Sequence, residues 1–366
     1  MKSVFYVGMD VHKETVRIAV LKGKEKETVY EGTLKNDVSR IVKSVKAYAD
    51  KGEVVAGYEA GCMGYTLQRA LAKVNVECRI IPPNHIPRVG SQRVKTDSRD
   101  AILIARMLKN NEGGGIHIPT PHDEATRDLL RCRDDMKLDM NRCKQRISKF
   151  LLRLGHIYDK ESSWTKAHRE WMKALVFAND LHKETLDQYY SYLVSLEDRL
   201  GRLDARIKEM AADPAYAERI SRLRCFKGID YITALAFVCE IGDFNRFPNA
   251  GAFMAYVGLV PSEHSSGGKR HQGGITKTGN THLRNLLLES SWHYRYYSSP
   301  SAALKTRRAG NSEVVIDYAD CALRRLQSKH AGLVRAAKNS KSATTAVARE
   351  LAGFVWGMMT EHYGRV

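Results

Sequence analysis

The sequence predicts a mixed α/β domain at the N-terminus followed by an all-helical remainder, so the class is α/β plus all-α. Three observations carry that prediction. Short runs of β-branched and aromatic residues alternate with helically spaced segments as far as Ile81. Two long charged stretches with apolar residues at 3–4 spacing follow, from Glu124 to Leu154 and from Glu184 to Ala212. The last third alternates apolar helices with basic residues.

Val4 to Lys13 reads as the first strand, an apolar run that carries one carboxylate, Asp10. An acid in such a run is costly to bury unless something pairs with it, and a metal ion rewards several acids at once. Val16, Ile18 and Val20 alternate with Arg17, Ala19 and Leu21 in a second strand, and Lys26 to Leu34 forms a third. Asn36 and Asp37 suit the cap of a helix through Ile41, Val42, Val45 and Tyr48. Glu53 to Glu59 is a fourth strand that ends in a second acid. A helix from Tyr65 to Val74 and a fifth strand from Val76 to Ile81, stopped by Pro82 and Pro83, complete the series. The order β-β-β-α-β-α-β, with a further helix from Ser98, is the ribonuclease-H-like arrangement. In it the first strand is central and the fourth lies beside it.

A basic loop from His85 to Arg93 leads into Lys95-Thr96-Asp97-Ser98-Arg99-Asp100-Ala101. Asp97 and Asp100 are three residues apart and share a helical face. Taken alone they read as a cap and a first-turn acid. Beside Asp10 and Glu59 at strand ends they read as further members of an acidic site. The leucines at 193, 196, 200 and 203 with Ile207 form a seam, either an intramolecular hairpin or a contact between copies. Phe226-Lys227-Gly228-Ile229-Asp230 before an apolar helix suits either a phosphate-binding helix-hairpin-helix or a plain helical hairpin. Gly258 to Asn280 is read as a long irregular loop of serine, glycine and cations between apolar helices, the make-up of a functional loop that meets phosphate. An amphipathic helix through Val347, Leu351, Val355 and Trp356 closes the chain.

Lys and Arg total 59 against 41 acids in 366 residues, a net charge of +18. That excess points to a polyanionic partner, nucleic acid first among them. Seven scattered cysteines without a CxxC pair disfavour a disulfide framework or a zinc knuckle and fit a reducing cytoplasm. The N-terminus lacks a signal-peptide pattern, and no apolar run reaches the roughly 18 residues of a membrane span. Four carboxylates are the donor set for two Mg²⁺ ions, which suit hard oxygen ligands and in-line displacement at a phosphodiester. A serine in the late loop offers a protein nucleophile that a base such as His264, or the metals, would activate.

These residues together resemble the DEDD transposases of bacterial insertion sequences, the bridge-RNA-guided serine recombinases. The resemblance rests on Gly8-Met9-Asp10, Tyr58-Glu59-Ala60, Lys95 through Ala101, and Gly258-Leu259-Val260-Pro261 through Ser266-Gly267-Gly268 to Thr276-Lys277-Thr278-Gly279-Asn280, in that order. It implies a RuvC-like domain (1–115), a helical coiled-coil region (116–215) and a C-terminal transposase domain (216–366). It implies that Asp10, Glu59, Asp97 and Asp100 bind Mg²⁺ and that Ser266 attacks DNA, with the adjacent Ser265 an open alternative. Donor and target DNA, a guide RNA and a homo-oligomer, dimer or tetramer, are the partners so implied. Lys95, Arg99, Lys269, Arg270, Lys277 and Arg284 are the cations expected at nucleic acid. Rival readings are a Holliday-junction-type nuclease using water, a non-catalytic basic binding protein and, last, a sugar kinase or actin-like ATPase.

Overall fold

Strand β1 (Ser3–Val11) takes the middle of the sheet because both of its faces are apolar: Phe5, Val7 and Met9 are buried on one side, and Tyr6 packs on the other. The computed structural model describes residues 3–23, 28–86, 97–112, 114–160, 162–263 and 271–364, with Asp97 and Ser98 in backbone only. These fall into two compact units, Met1–Ile118 and Pro119–Val366.

In the first unit, β2 (Thr15–Lys22) and β3 (Thr28–Lys35) form the expected antiparallel meander with β1. Strands β4 (Gly52–Glu59) and β5 (Glu77–Ile81) add in parallel, which gives the order β3-β2-β1-β4-β5. Helix α1 (Val38–Ala49) is capped by the Asp37 carboxylate, which accepts from the Arg40 N–H at 3.1 Å. With α2 (Thr66–Ala72) it covers one face of the sheet, through Ile41, Val45, Leu67 and Leu71. Helix α3 (Asp97–Lys109) covers the other face through Ile104, Met107 and Leu108.

Glycine sets how closely α3 approaches. Gly8 of β1 and Gly57 of β4 are register partners on neighbouring strands. A Cβ on Gly8 would run into the Ala101 carbonyl and the Ala105 amide of α3, and one on Gly57 would lie 3.0 Å from a Leu108 methyl. The helix backbone therefore rests directly on β1.

The second unit opens with α4 (Pro121–Arg153), started by Thr120, whose hydroxyl accepts from the Asp123 N–H at 3.0 Å, and by Pro121 in the first turn. After α5 (Lys166–Ala174), α6 (Asp180–Ala211) runs back antiparallel to α4. Arg133 meets Asp204 at 2.8 Å, and further along Cys143 meets the Tyr189 carbonyl at 3.4 Å. The leucine seam is covered within the chain: Leu193 and Leu196 pack with Cys143, Ile147, Phe150 and Leu151. That favours the intramolecular hairpin over a contact between copies.

Helices α7 (Pro214–Leu223), α8 (Tyr231–Ile241), α9 (Ala250–Tyr256), α10 (Thr281–Ser291), α11 (Ala302–Arg308), α12 (Glu313–Arg335) and α13 (Ser340–Met359) complete this unit. Leu130 of α4 with Ile207 and Ala211 of α6 belong to their core. The closing helix differs from the amphipathic one expected. Val347, Leu351, Val355 and Trp356 are buried, but so are Ala348, Ala352, Phe354 and Met358 on the other faces. Helices α7, α9, α10 and α12 surround α13, so it is a core helix.

Gly258 to Asn280 also differs from the irregular loop expected. Pro261–Glu263 (β6) and Gln272–Ile275 (β7) pair antiparallel as a small hairpin. A buried polar network anchors its base. The Arg127 guanidinium donates to the Cys239 and Glu240 carbonyls at 2.8 and 2.9 Å and so caps the end of α8. The Glu240 carboxylate, 4 % exposed, accepts from Arg131 at 2.7 Å and from the Asn280 amide at 3.0 Å. Asn280 in turn caps α10 by accepting from the Leu283 N–H at 3.1 Å.

Two stability outcomes follow from this packing. Gly8→Ala must push the α3 backbone off the sheet, a loss of about 2 kcal/mol or more in urea unfolding, whereas Gly201→Ala, on an exposed turn of α6 with open space around it, is neutral or gains up to about 1 kcal/mol. Glu240→Ala leaves the Asn280 amide without its acceptor and removes the carboxylate 3.9 Å from the buried Arg127 guanidinium, which keeps its two carbonyl partners, at a cost on the order of 3 kcal/mol; Glu240→Gln, which keeps acceptor capacity toward Asn280, loses less in the same measurement.

Candidate active site

Strand parity places the acids. On β1, Tyr6, Gly8 and Asp10 alternate with the core residues Val7 and Met9; on β4, Val55, Gly57 and Glu59 alternate with Ala56 and Tyr58. Both sets lie on the side covered by α3. The parallel register pairs Gly8 with Gly57 and Met9 with Tyr58, so Asp10 and Glu59 each stand one step beyond the last pair. Asp100 directly precedes Ala101, whose carbonyl sits over Gly8, two residues before Asp10. Asp10 and Glu59 therefore share one face at the ends of two adjacent strands, and Asp100 stands near the start of the helix that covers that face. Asp97 lies in the first turn of α3, one helical turn before Ala101.

The Asp10 carboxylate is 13 % exposed and lies 3.0 Å from His12 Nε2, whose N–H donates to it. His12 was not among the expected site residues. Its signal was period-two spacing from Asp10, masked because the strand ends at Val11. Glu59 and Asp100 are half-buried, and Arg99 beside Asp100 is exposed. All the acids offer hard oxygen donors, the chemistry that Mg²⁺ takes. Among the described residues, no three His, Cys, Asp or Glu side chains are gathered closely enough to hold a metal ion; the Asp97 side chain falls outside them.

Lys95, before α3 in the first unit, lies outside the described residues, as do His264, Ser265, Ser266, Lys269 and Arg270 of the second unit. In sequence, residues 264–271 separate β6 from β7. The base of that hairpin is built by backbone crossing. The Thr276 N–H donates to the Val260 carbonyl at 2.9 Å, and the Lys277 N–H to the Gly258 carbonyl at 3.1 Å. Gly258 and Gly279 both have φ near +70°, at 68° and 69°. A Cβ on Gly258 would strike Thr278, and one on Gly279 the Tyr256 carbonyl, so both positions demand glycine twice over. Lys277 is exposed and itself held at φ 56°, an uncommon conformation for a side-chain-bearing residue.

Arg284 has a different task from the expected contact with nucleic acid. It is 7 % exposed, and its guanidinium donates to the Val257 carbonyl at 3.1 Å, the Thr278 carbonyl at 2.9 Å and the Thr281 hydroxyl at 2.9 Å. It ties both legs of the hairpin to α10. Burial holds its pKa below the usual arginine value. The Gly228 turn between α7 and α8 is packed against the Ser290 carbonyl and the His293 ring, which would block any Cβ there.

No helix among the described residues is long and apolar enough to cross a membrane. All seven cysteines are free thiols, and burial pushes Cys78 and Cys239 up to about 12, where they are unreactive.

Comparison with known proteins agrees with this layout. Residues 7–155, which contain the acid face, match a family model described as a transposase of the DEDD type of IS110, and residues 220–305, which contain the hairpin, match one described as transposase IS116/IS110/IS902 family. The chain is 37 % identical over 338 residues to a transposase for insertion sequence element IS1533 of Leptospira borgpetersenii, covering 91 % of this chain and 97 % of the relative. It is 35 % identical over 358 residues to a putative transposase of Sinorhizobium fredii, covering 97 % and 88 %. A transposase for insertion sequence element IS1111A of Coxiella burnetii is 24 % identical over 304 residues, covering 80 % and 78 %. With a match of this identity along nearly its whole length, and with both family models falling on the two halves of its candidate site residues, the chain belongs to the IS116/IS110/IS902 family of transposases.

Proposed function

We propose that the chain is the recombinase of an insertion sequence, cutting and rejoining DNA through its acidic face and a serine nucleophile, guided by an RNA of the element and working as a homo-oligomer. The observation that supports this reading is that Asp10 and Glu59 end neighbouring parallel strands on the face covered by α3, the helix that carries Asp100 and that two glycines hold close. A face of carboxylates is repelled by phosphate unless cations intervene. Asp10, Glu59, Asp97 and Asp100 are the residues that would hold two Mg²⁺ ions, which supply charge neutralisation at the scissile phosphate. His12 fixes the orientation of the Asp10 carboxylate by donating to it.

Ser266 is the assigned nucleophile. Its Oγ forms a bond to phosphorus as the bond from phosphorus to the leaving 3′-oxygen breaks, giving a phosphoserine linkage; the serine proton passes to a base, for which His264 is the neighbouring candidate, and the leaving oxygen takes a proton from water to become a free 3′-hydroxyl. Rejoining reverses this step with the 3′-hydroxyl of another strand. Lys269, Arg270 and the exposed Lys277 surround the serine in sequence and are assigned to the phosphates, with Lys95 and Arg99 doing the same beside the acids. Arg284 and Glu240 shape the hairpin base without touching nucleic acid.

The test is to trap a covalent protein–DNA adduct on denaturing gels, with the cognate RNA and Mg²⁺ supplied. Ser266→Ala abolishes the adduct and Ser265→Ala leaves it, while Asp10→Asn lowers its yield by about 100-fold or more, the scale expected of an essential electrostatic group. Cleavage that persists in Ser266→Ala without an adduct makes water the nucleophile and moves the chain to the junction-nuclease reading.

A further inference from the structure

The segment between α10 and α11 carries aromatic rings that packing does not explain. After a single 3-10 turn, Trp292–Tyr294, the chain runs through Arg295, Tyr296 and Tyr297 to Pro300. Tyr294 points inward and is 1 % exposed, whereas Tyr296 and Tyr297 are 73 % and 65 % exposed. An exposed pair of large rings on a floppy loop would mean little. This backbone is held. Gln327 of α12, itself 4 % exposed, donates to the Tyr296 carbonyl at 3.1 Å and the Ser298 carbonyl at 3.2 Å, and the Lys227 ammonium donates to the Ser298 hydroxyl at 2.6 Å. Rigid, outward-facing aromatics of this kind mark interaction sites.

The chemistry around the rings selects the partner. The Arg295 guanidinium carbon lies 5.0 Å from the Trp292 ring centre and 5.4 Å from that of Tyr296, a cation held over both rings. Beside Tyr297 opens a cleft of about 480 Å³, edged by Ser299, Pro300, Leu323 and the exposed Arg324. The acid in its wall, Asp320, is bonded to Arg308 at 2.7 Å. Exposed rings thus stand beside the Arg295 and Arg324 guanidiniums, and the acid lining the cleft is paired. That combination fits a base laid on a ring with its phosphate near a guanidinium. Paired bases in a duplex are already stacked on one another, so the fitting ligand is a strand with unpaired bases.

We propose that Tyr296 and Tyr297, with Arg295, form a stacking platform for unpaired nucleotides, and that the adjoining cleft with Arg324 receives the next base or its phosphate. The platform rests on the reading of the chain as a nucleic-acid enzyme and deepens it by naming where a single strand is gripped. Both tyrosines are exposed, so their replacement leaves the fold intact.

The test uses the full-length chain and fluorescence anisotropy with three labelled probes: a single-stranded DNA, a single-stranded RNA of the same sequence, and the DNA duplex. Wild type binds all three. Tyr296→Ala/Tyr297→Ala weakens single-strand binding about tenfold or more and leaves duplex binding within about twofold, while Tyr296→Phe/Tyr297→Phe, which keeps both rings, matches wild type. The single strand that loses more, DNA or RNA, identifies the natural occupant. Unchanged single-strand affinity, or an equal loss on the duplex, overturns the platform and leaves the broader reading standing. A smaller assembly by light scattering in the alanine variant, with single-strand affinity unchanged, makes the surface a contact between copies and also overturns it. A wild-type chain that binds none of the probes overturns the nucleic-acid reading itself.

Discussion

The acidic site depends on a helix lying on bare backbone. A helix ordinarily stands about 10 Å from a sheet, spaced by side chains on both. At the crossing of α3 with β1 and β4 those side chains are missing from the sheet, because Gly8 and Gly57 occupy neighbouring register positions. The small Ala101 and Ala105 complete the fit from the helix side. Close approach has a chemical consequence. It lowers the start of α3, with Asp97 and Asp100, toward the strand ends that carry Asp10 and Glu59. Larger residues at the two glycines would preserve the topology and separate the acids.

The second unit solves a different problem, holding a small hairpin steady on a helical body. The backbone of a two-stranded ribbon has no sheet to join. Here it is tied to helices by side chains that are buried and charged. Glu240 links α4, α8 and the cap of α10, and Arg284 links α10 to the residues on either side of the hairpin. Removing one member of such a network leaves others without partners, so the arrangement holds the base of the hairpin in place.

Much of the first unit was legible in the sequence, because period-two alternation and capping residues act locally. The meander, the capped α1, strands β4 and β5 and the acids at strand ends all follow from such signals. What was not legible depends on distant partners. The pairing of Gly8 with Gly57 is a matter of register between strands 49 positions apart in the numbering. Strands β6 and β7 are short and rich in glycine and serine, so they carry no alternation to read. Arg284 looked like one more cation of a basic region; only the carbonyls of Val257 and Thr278 reveal it as internal. Helix α13 shows an apolar stripe in sequence, and its small alanines and glycines on the remaining faces hide the fact that every side is packed.

The most direct test of the central claim is to soak crystals of the full-length protein in Mn²⁺ and compute an anomalous difference map. A metal site shared by these acids predicts a strong peak within coordination distance, about 2.0–2.6 Å, of carboxylate oxygens from Asp10, Glu59 and Asp100, and its loss in Gly8→Val crystals that still diffract. Saturating Mn²⁺ with no peak on that face, or a peak held by one of these acids alone, would contradict it.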